Sequence, residues 1–175
     1  MGGETATTTA AGRAAGQDAA MPWLRSYPPG VSWEIPLPSE TLPEMFDAAV
    51  ARFGQKTCLD FMGRRWTFAE MGALVDSAAA GFRGLGVVPG TRIGLHLPNS
   101  PFFIAAFFGA LKAGAIVVNY SPLYVEEELA AQVADSGTEM MVSVDLDPLL
   151  PRALGLLDRP GSPLKHVVAC QFSSA

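Results

Sequence analysis

Cysteine is nearly absent from this sequence. The 175 residues hold two, Cys58 and Cys170, far apart and outside any Cys-x-x-Cys or Cys/His spacing. That spacing excludes a metal or redox motif, and both thiols are expected to be reduced and buried. Basic residues are also sparse: 12 Lys and Arg against 17 Asp and Glu give a net charge of −5, with no basic cluster. The electrostatic footprint of a nucleic-acid binder is therefore missing. Charged residues of all kinds make up only 17% of the chain against 49% hydrophobic, which excludes the charged, core-poor signature of disorder for most of its length.

Nucleotide and hydrolase motifs are missing too. No Walker-type Gly-x-x-x-x-Gly-Lys-Ser/Thr loop and no Gly-x-Ser-x-Gly elbow occurs. The run Gly84-Leu85-Gly86-Val87-Val88-Pro89 fails the dinucleotide fingerprint at its sixth position. It also falls between a helix and a strand in the wrong order to aim a helix N-terminus at pyrophosphate, so it reads as a loop. His96 and His166 have no Ser, Cys or carboxylate at motif spacing and read as core or edge histidines. Asp145 and Asp147 end a strand where paired carboxylates hold Mg²⁺ in some α/β enzymes. The pair Asp147-Pro148 equally fits a helix cap followed by proline at the first helical position, and that reading is preferred.

Residues 1–20 are Gly, Ala and Thr with scattered charge. They have too little apolar surface to offset their ordering entropy, so a disordered tail is expected. They hold no apolar stretch of a secretory signal, and Ala6 stands where a myristoylation signal needs Ser or Thr, so the expected location is cytoplasmic. Met21 opens the first aromatic segment and is a candidate start. Residues 21–40 are rich in proline and read as an extended lead-in in which Trp23 and Trp33 serve as anchors. The apolar stretch 101–118 approaches the length of a membrane span, yet Lys112 and Gly114 interrupt it. A buried helix followed by a buried strand fits it better.

From residue 41 the patterning becomes regular. Thr41-Leu42-Pro43-Glu44 is a capping box opening a helix with Leu42, Met45, Phe46, Ala49, Val50 and Phe53 on one stripe, closed by Gly54. Runs at 57–61 and 64–67, split by Met62-Gly63, predict a hairpin. Thr67-Phe68-Ala69-Glu70 opens a second helix, carrying Phe68, Met71, Leu74, Val75, Ala78 and Phe82. Strand and helix then alternate: strands at 92–97, 115–119, 140–144 and 165–170, with helices from 101, over 126–136 and over 147–157. This order predicts an α/β domain with helices and a hairpin leading into a doubly wound, mostly parallel sheet. Residues 41–175 read as an incomplete α/β domain, because the strands that would complete a ligand crevice are not among them.

Three stretches go further. Gly90-Thr91-Arg92-Ile93-Gly94-Leu95-His96-Leu97-Pro98-Asn99-Ser100-Pro101 resembles the segment G-D-R-V-A-L-x-L-P-N-S-P of the adenylate-forming acyl-CoA synthetases. Residues 106–119, Ala-Phe-Phe-Gly-Ala-Leu-Lys-Ala-Gly-Ala-Ile-Val-Val-Asn, are similar to that superfamily's F-x-G-A-L-K-A-G-A-I-V-V-x run. Ser121-Pro122-Leu123-Tyr124, Glu127-Glu128-Leu129 and Asp135-Ser136-Gly137 resemble its N-P-L-Y-T-x-x-E-L-x-x-Q-x-x-D-S-G run. Their order and spacing cover residues 22–168, and 22–28 look most like the bacterial long-chain fatty-acid branch.

The resemblance implies the N-terminal part of an adenylate-forming large domain, and a ligase that joins a fatty acid to coenzyme A through an acyl-adenylate using ATP and Mg²⁺. The family's Ser/Thr/Gly-rich phosphate loop and catalytic lysine have no counterpart in these residues. No catalytic, cofactor-binding or metal-binding residue is therefore carried over, and tight binding of ATP, CoA or Mg²⁺ by this chain alone is not expected. The chain departs from the family at Ser121, which replaces asparagine, and at Val125-Glu126, which replace Thr-Pro and remove a cap worth about 1 kcal/mol. The implied partner is a fatty acid substrate in the complete enzyme, with peripheral membrane association and no membrane span. The alternative is a non-catalytic module that binds a partner chain or forms a homodimer through an exposed sheet edge.

Overall fold

The computed structural model describes residues 21–174, which fall in two units that divide after Ser39. The tail expected over 1–20 lies outside the described residues. In the first unit a 3₁₀ turn, Pro22–Ser26, precedes extended chain. Trp33 packs against both Trp23 and Tyr27, with ring centroids 5.9 and 5.4 Å apart, so the two tryptophans anchor on one another.

The second unit opens with helix α1 (Leu42–Phe53), the hairpin strands β1 (Thr57–Phe61) and β2 (Arg64–Thr67), and helix α2 (Phe68–Gly84). Both predicted capping boxes form: Glu44 and Glu70 accept from the backbone N–H of Thr41 and Thr67 at 2.7 and 2.8 Å, and the threonine hydroxyls accept in return from Glu44 N and Glu70 N. Met62 and Gly63 take positive φ values of 52° and 86° at the hairpin turn, the left-handed pair that matches the twist of the flanking strands. The α1 stripe buries less than its spacing predicts. Phe46 is buried while Leu42 and Met45 are about half exposed, at 51% and 48%. Phe46 meets Trp66, Met71 and Val75 and stacks on Phe108 at 4.4 Å.

Alternation follows: β3 (Arg92–His96), α3 (Pro101–Lys112), β4 (Ile116–Asn119), α4 (Glu126–Ser136), β5 (Met140–Val144), α5 (Leu149–Gly155) and β6 (His166–Cys170). The four strands pair in parallel in the order β4-β3-β5-β6. The chain steps outward from β3 to β4, then crosses back over β3 to lay down β5 and β6. The sheet therefore changes winding direction between β3 and β5.

Alternating side chains sort to two faces. Ile93, Leu95, Met140 and Val142 pack with Phe82 of α2 and Ala106 and Ala110 of α3. Met141 packs on the other face with Leu129 and Val133 of α4 and Ala153 and Leu156 of α5. Helices thus cover both faces, as the predicted doubly wound sheet requires. The apolar stretch 101–118 is helix α3 followed by β4, and no helix among the described residues is long and apolar enough to cross a membrane.

Two local expectations are corrected. Asp147 does not cap α5. The helix begins at Leu149, its cap position falls on Pro148, and no side chain caps it. The first helical hydrogen bond instead runs from Leu150 N to Leu146 O at 3.1 Å. Cys58 and Cys170 are free, as expected, but half-buried rather than buried, because Cys58 lies on a two-stranded hairpin and Cys170 ends an edge strand.

Candidate functional site

In an open parallel α/β sheet, ligands bind outside the carboxyl ends of the strands where the winding reverses. Here that place is the end of β3 and β5. The corner after β3, Leu97-Pro98-Asn99-Ser100, turns directly into α3. Ser100 is buried and its Oγ accepts from Phe103 N at 3.4 Å. The hairpin approaches the same corner: Leu59, Phe61, Asn99, Phe103 and Ile104 line a mostly apolar cavity of about 350 Å³. Phe61 also meets Phe172, just after β6, edge-on at 6.1 Å. Hairpin, β3–α3 corner and the end of β6 therefore converge on one rim.

Asp145 lies on this rim, with its Oδ1 accepting from Phe172 N at 2.6 Å. Asp145 and Asp147 are both exposed, and among the described residues no group of three or more His, Cys, Asp and Glu side chains is placed to hold a metal ion. Asp145 thus ties the end of β5 to the end of β6. Burial, followed by the nearby Asp145, pushes the Cys170 thiol up to about 11, so it stays protonated at neutral pH. Burial likewise raises the Cys58 thiol. Such thiols are poor nucleophiles.

The other candidates separate to opposite ends. The loop at Gly84–Pro89 lies at the amino ends of the strands, where Val88 and Pro89 line a cleft with Glu139, Lys165 and His166. It faces away from the β3–β5 rim, as its order in the sequence implies. His166 is exposed there, whereas His96 is wholly buried at the carboxyl end of β3.

Two groups were not legible as site residues. Tyr120 is buried, and its hydroxyl shares hydrogen bonds with Thr138 Oγ1 at 2.7 Å and Ser136 Oγ at 2.9 Å. Its ring fills the space over Gly94, where a Cβ would come within 2.6 Å of it. Arg152 of α5 donates from Nη1 to Tyr124 O at 2.9 Å and holds the loop after β4 against the helix. At the start of α4, Val125 supplies no side-chain cap, and Glu128 alone accepts from Val125 N at 3.0 Å. On the opposite face, Ala78, Phe82, Phe102, Val142 and Val168 line an apolar groove of about 210 Å³ beside β6.

A doubly wound sheet with its winding reversal at β3 and β5, preceded by two capped helices and a hairpin, defines an open parallel α/β domain of the class in which ligands bind at the reversal. The AMP-binding enzyme family matches residues 46–172, and the chain belongs to that family. It is 37% identical over 133 residues to a long-chain-fatty-acid–CoA ligase of Bacillus subtilis, a match covering 76% of this chain and 23% of that protein. It is 40% identical over 124 residues to a ligase of the same name from Escherichia coli O6:H1, covering 70% and 22%. The chain thus spans less than a quarter of the length of these relatives. Among solved structures, the apo form of MbtA from Mycobacterium smegmatis superposes with a TM-score of 0.69 at 29% identity, over 93% of this chain and 28% of that one. The fold is also that of a Mycobacterium tuberculosis fatty acyl CoA synthetase, with a TM-score of 0.64 at 24% identity, covering 73% and 26%.

Proposed function

We propose that this chain is the N-terminal scaffold of a long-chain fatty-acid CoA ligase. In the complete enzyme a fatty carboxylate attacks the α-phosphate of ATP and releases pyrophosphate, and the thiol of coenzyme A then displaces AMP from the acyl-adenylate. The observation that carries this reading is 37 to 40% identity, over 133 and 124 residues, to proteins named for that activity.

The sites for ATP, coenzyme A and Mg²⁺ are placed, in this reading, on later elements of the complete enzyme. Asp145 is engaged by backbone, Ser100 caps its own helix, and no acidic cluster converges among the described residues. No step of the reaction is therefore assigned to a side chain of this chain. Its part is to fix β3, β5 and the rim around them, on which later elements of the complete enzyme build the site. A long acyl chain partitions into bilayers, which supports a cytoplasmic enzyme working peripherally at the membrane surface. A second reading, association with a partner or a second copy, is favoured by the apolar groove beside β6 and by the outer edge of that strand, unpaired among the described residues.

The test is to read the coding DNA past codon 175 and assay palmitate-dependent exchange of pyrophosphate into ATP. A continuing frame with a Ser/Thr/Gly-rich loop ending in Pro-Lys-Gly is expected. Exchange should then appear with the whole product and stay at background with the 175-residue chain. Exchange by the short chain alone, or an authentic stop at that codon, would overturn the reading.

A further inference from the structure

At the centre of the sheet, His96 on β3 stands in register with Ser143 on β5. Both are wholly buried, and neither the two ring nitrogens of His96 nor Ser143 Oγ has a hydrogen-bond partner among the described residues. A buried polar group without a partner is costly, and an unpaired buried charge is costlier still. By strand alternation both side chains face α4 and α5, the side on which Tyr120, Leu129, Val133, Met141 and Leu156 are packed.

The charged groups around this position offer no relief. Arg152 on α5 is half-buried and acts on the imidazole through its positive charge. The acids of α4, Glu126, Glu127, Glu128 and Asp135, are all exposed. Arg92 sits exposed at the opposite end of β3, and Glu139, before β5, is paired with Lys165 at 2.6 Å. Asp145, just after β5, accepts from Phe172 N. No hydrogen bond joins a carboxylate to the ring.

We propose that His96 is an acid-sensitive trigger: it is buried and unpartnered as a neutral ring, and taking up a proton loosens α5 and the carboxyl-end rim of the sheet. Burial, and then the positive charge of Arg152, push the ring down to about 4, from an ordinary value of 6.5. A histidine lowered on folding disfavours the folded form wherever the open form binds the proton first. The folded form carries no such penalty above about pH 6.5 and is progressively penalised as pH falls towards 4. Ser143 cannot accommodate the charge by itself, because one hydroxyl meets only one of two N–H groups. The strain falls on α5, which is only seven residues long and has no side-chain cap.

Amide hydrogen exchange of the full chain, corrected for intrinsic rates, tests this at pH 7.0 and 5.0. Exposure of α5 and of the ends of β3 and β5 should rise on the order of tenfold at the lower pH, because opening is linked to proton uptake. The hairpin and α1 should change far less. His96→Met should abolish the difference, and His166→Asn should preserve it. A uniform change across all elements, or unchanged sensitivity in His96→Met, would overturn the proposal. If His96→Met does not fold, the imidazole C2 proton of His96 in the native chain decides by NMR. A folded-state midpoint near 6.5 would refute the proposal, and an absence of titration down to pH 5 would support it.

Discussion

Tyr120 and Gly94 depend on one another. The ring crosses the central strand at the one position without a side chain, and its hydroxyl is locked by Ser136 and Thr138, which also bond each other at 2.9 Å. Gly94→Ala would place a methyl 2.6 Å from Tyr120 Cε2 and 3.0 Å from Thr138 Cγ2. It should destabilise the chain by about 1–3 kcal/mol in urea unfolding, the cost of overpacking. Tyr120→Phe should cost about 1 kcal/mol for the lost hydroxyl bonds. A glycine inside a strand pattern signals close approach, but nothing in the sequence says that the approaching group is the tyrosine 26 positions further on. His96 was legible as a core histidine for the same local reason, its apolar neighbours. The neighbouring Ser143 was not, because register between β3 and β5 depends on which strands pair.

The helices differ in how their ends are met. Thr41 and Thr67 each form both halves of a capping box, whereas Val125 forms one. Thr67→Ala should therefore cost about 1 kcal/mol, and Val125→Ser should gain a similar amount by supplying the missing acceptor. Thermal or urea denaturation reads both signs. Gly81 in α2 is exposed and an added Cβ meets nothing within 4 Å, so Gly81→Ala should stabilise by up to about 1 kcal/mol. Element identity was largely legible because punctuation and period agreed: capping boxes, a Met-Gly turn, Gly137 at φ 65° closing α4. The failures have physical causes. Leu42 and Met45 sit on the correct stripe, but α1 covers only the narrow strip formed by Trp66, Met71 and Val75. Asp147 looked like a cap, but the carbonyl of Leu146 starts the first helical bond instead.

At the scale of the whole molecule, the two outer strands, β4 and β6, each have one edge unpaired among the described residues, and the apolar groove lies beside β6. Strand edges with adjoining apolar surface associate unless blocked by charge. Sedimentation velocity of the 175-residue chain should show association rising with concentration, and Ala169→Lys, on an exposed position of β6, should suppress it. A parallel sheet was readable from alternating strands and helices, but the order β4-β3-β5-β6 was not, since order depends on which crossover reverses. The assignment as the scaffold of a fatty-acid CoA ligase is tested most directly by exchanging the first segment of the Bacillus subtilis ligase for residues 22–172 of this chain. A soluble, folded chimera should retain palmitate-dependent pyrophosphate exchange, within about tenfold of the parent if the scaffold costs no more than 1.4 kcal/mol of transition-state stabilisation. A chimera that folds, binds ATP and shows no exchange with any fatty acid would contradict it.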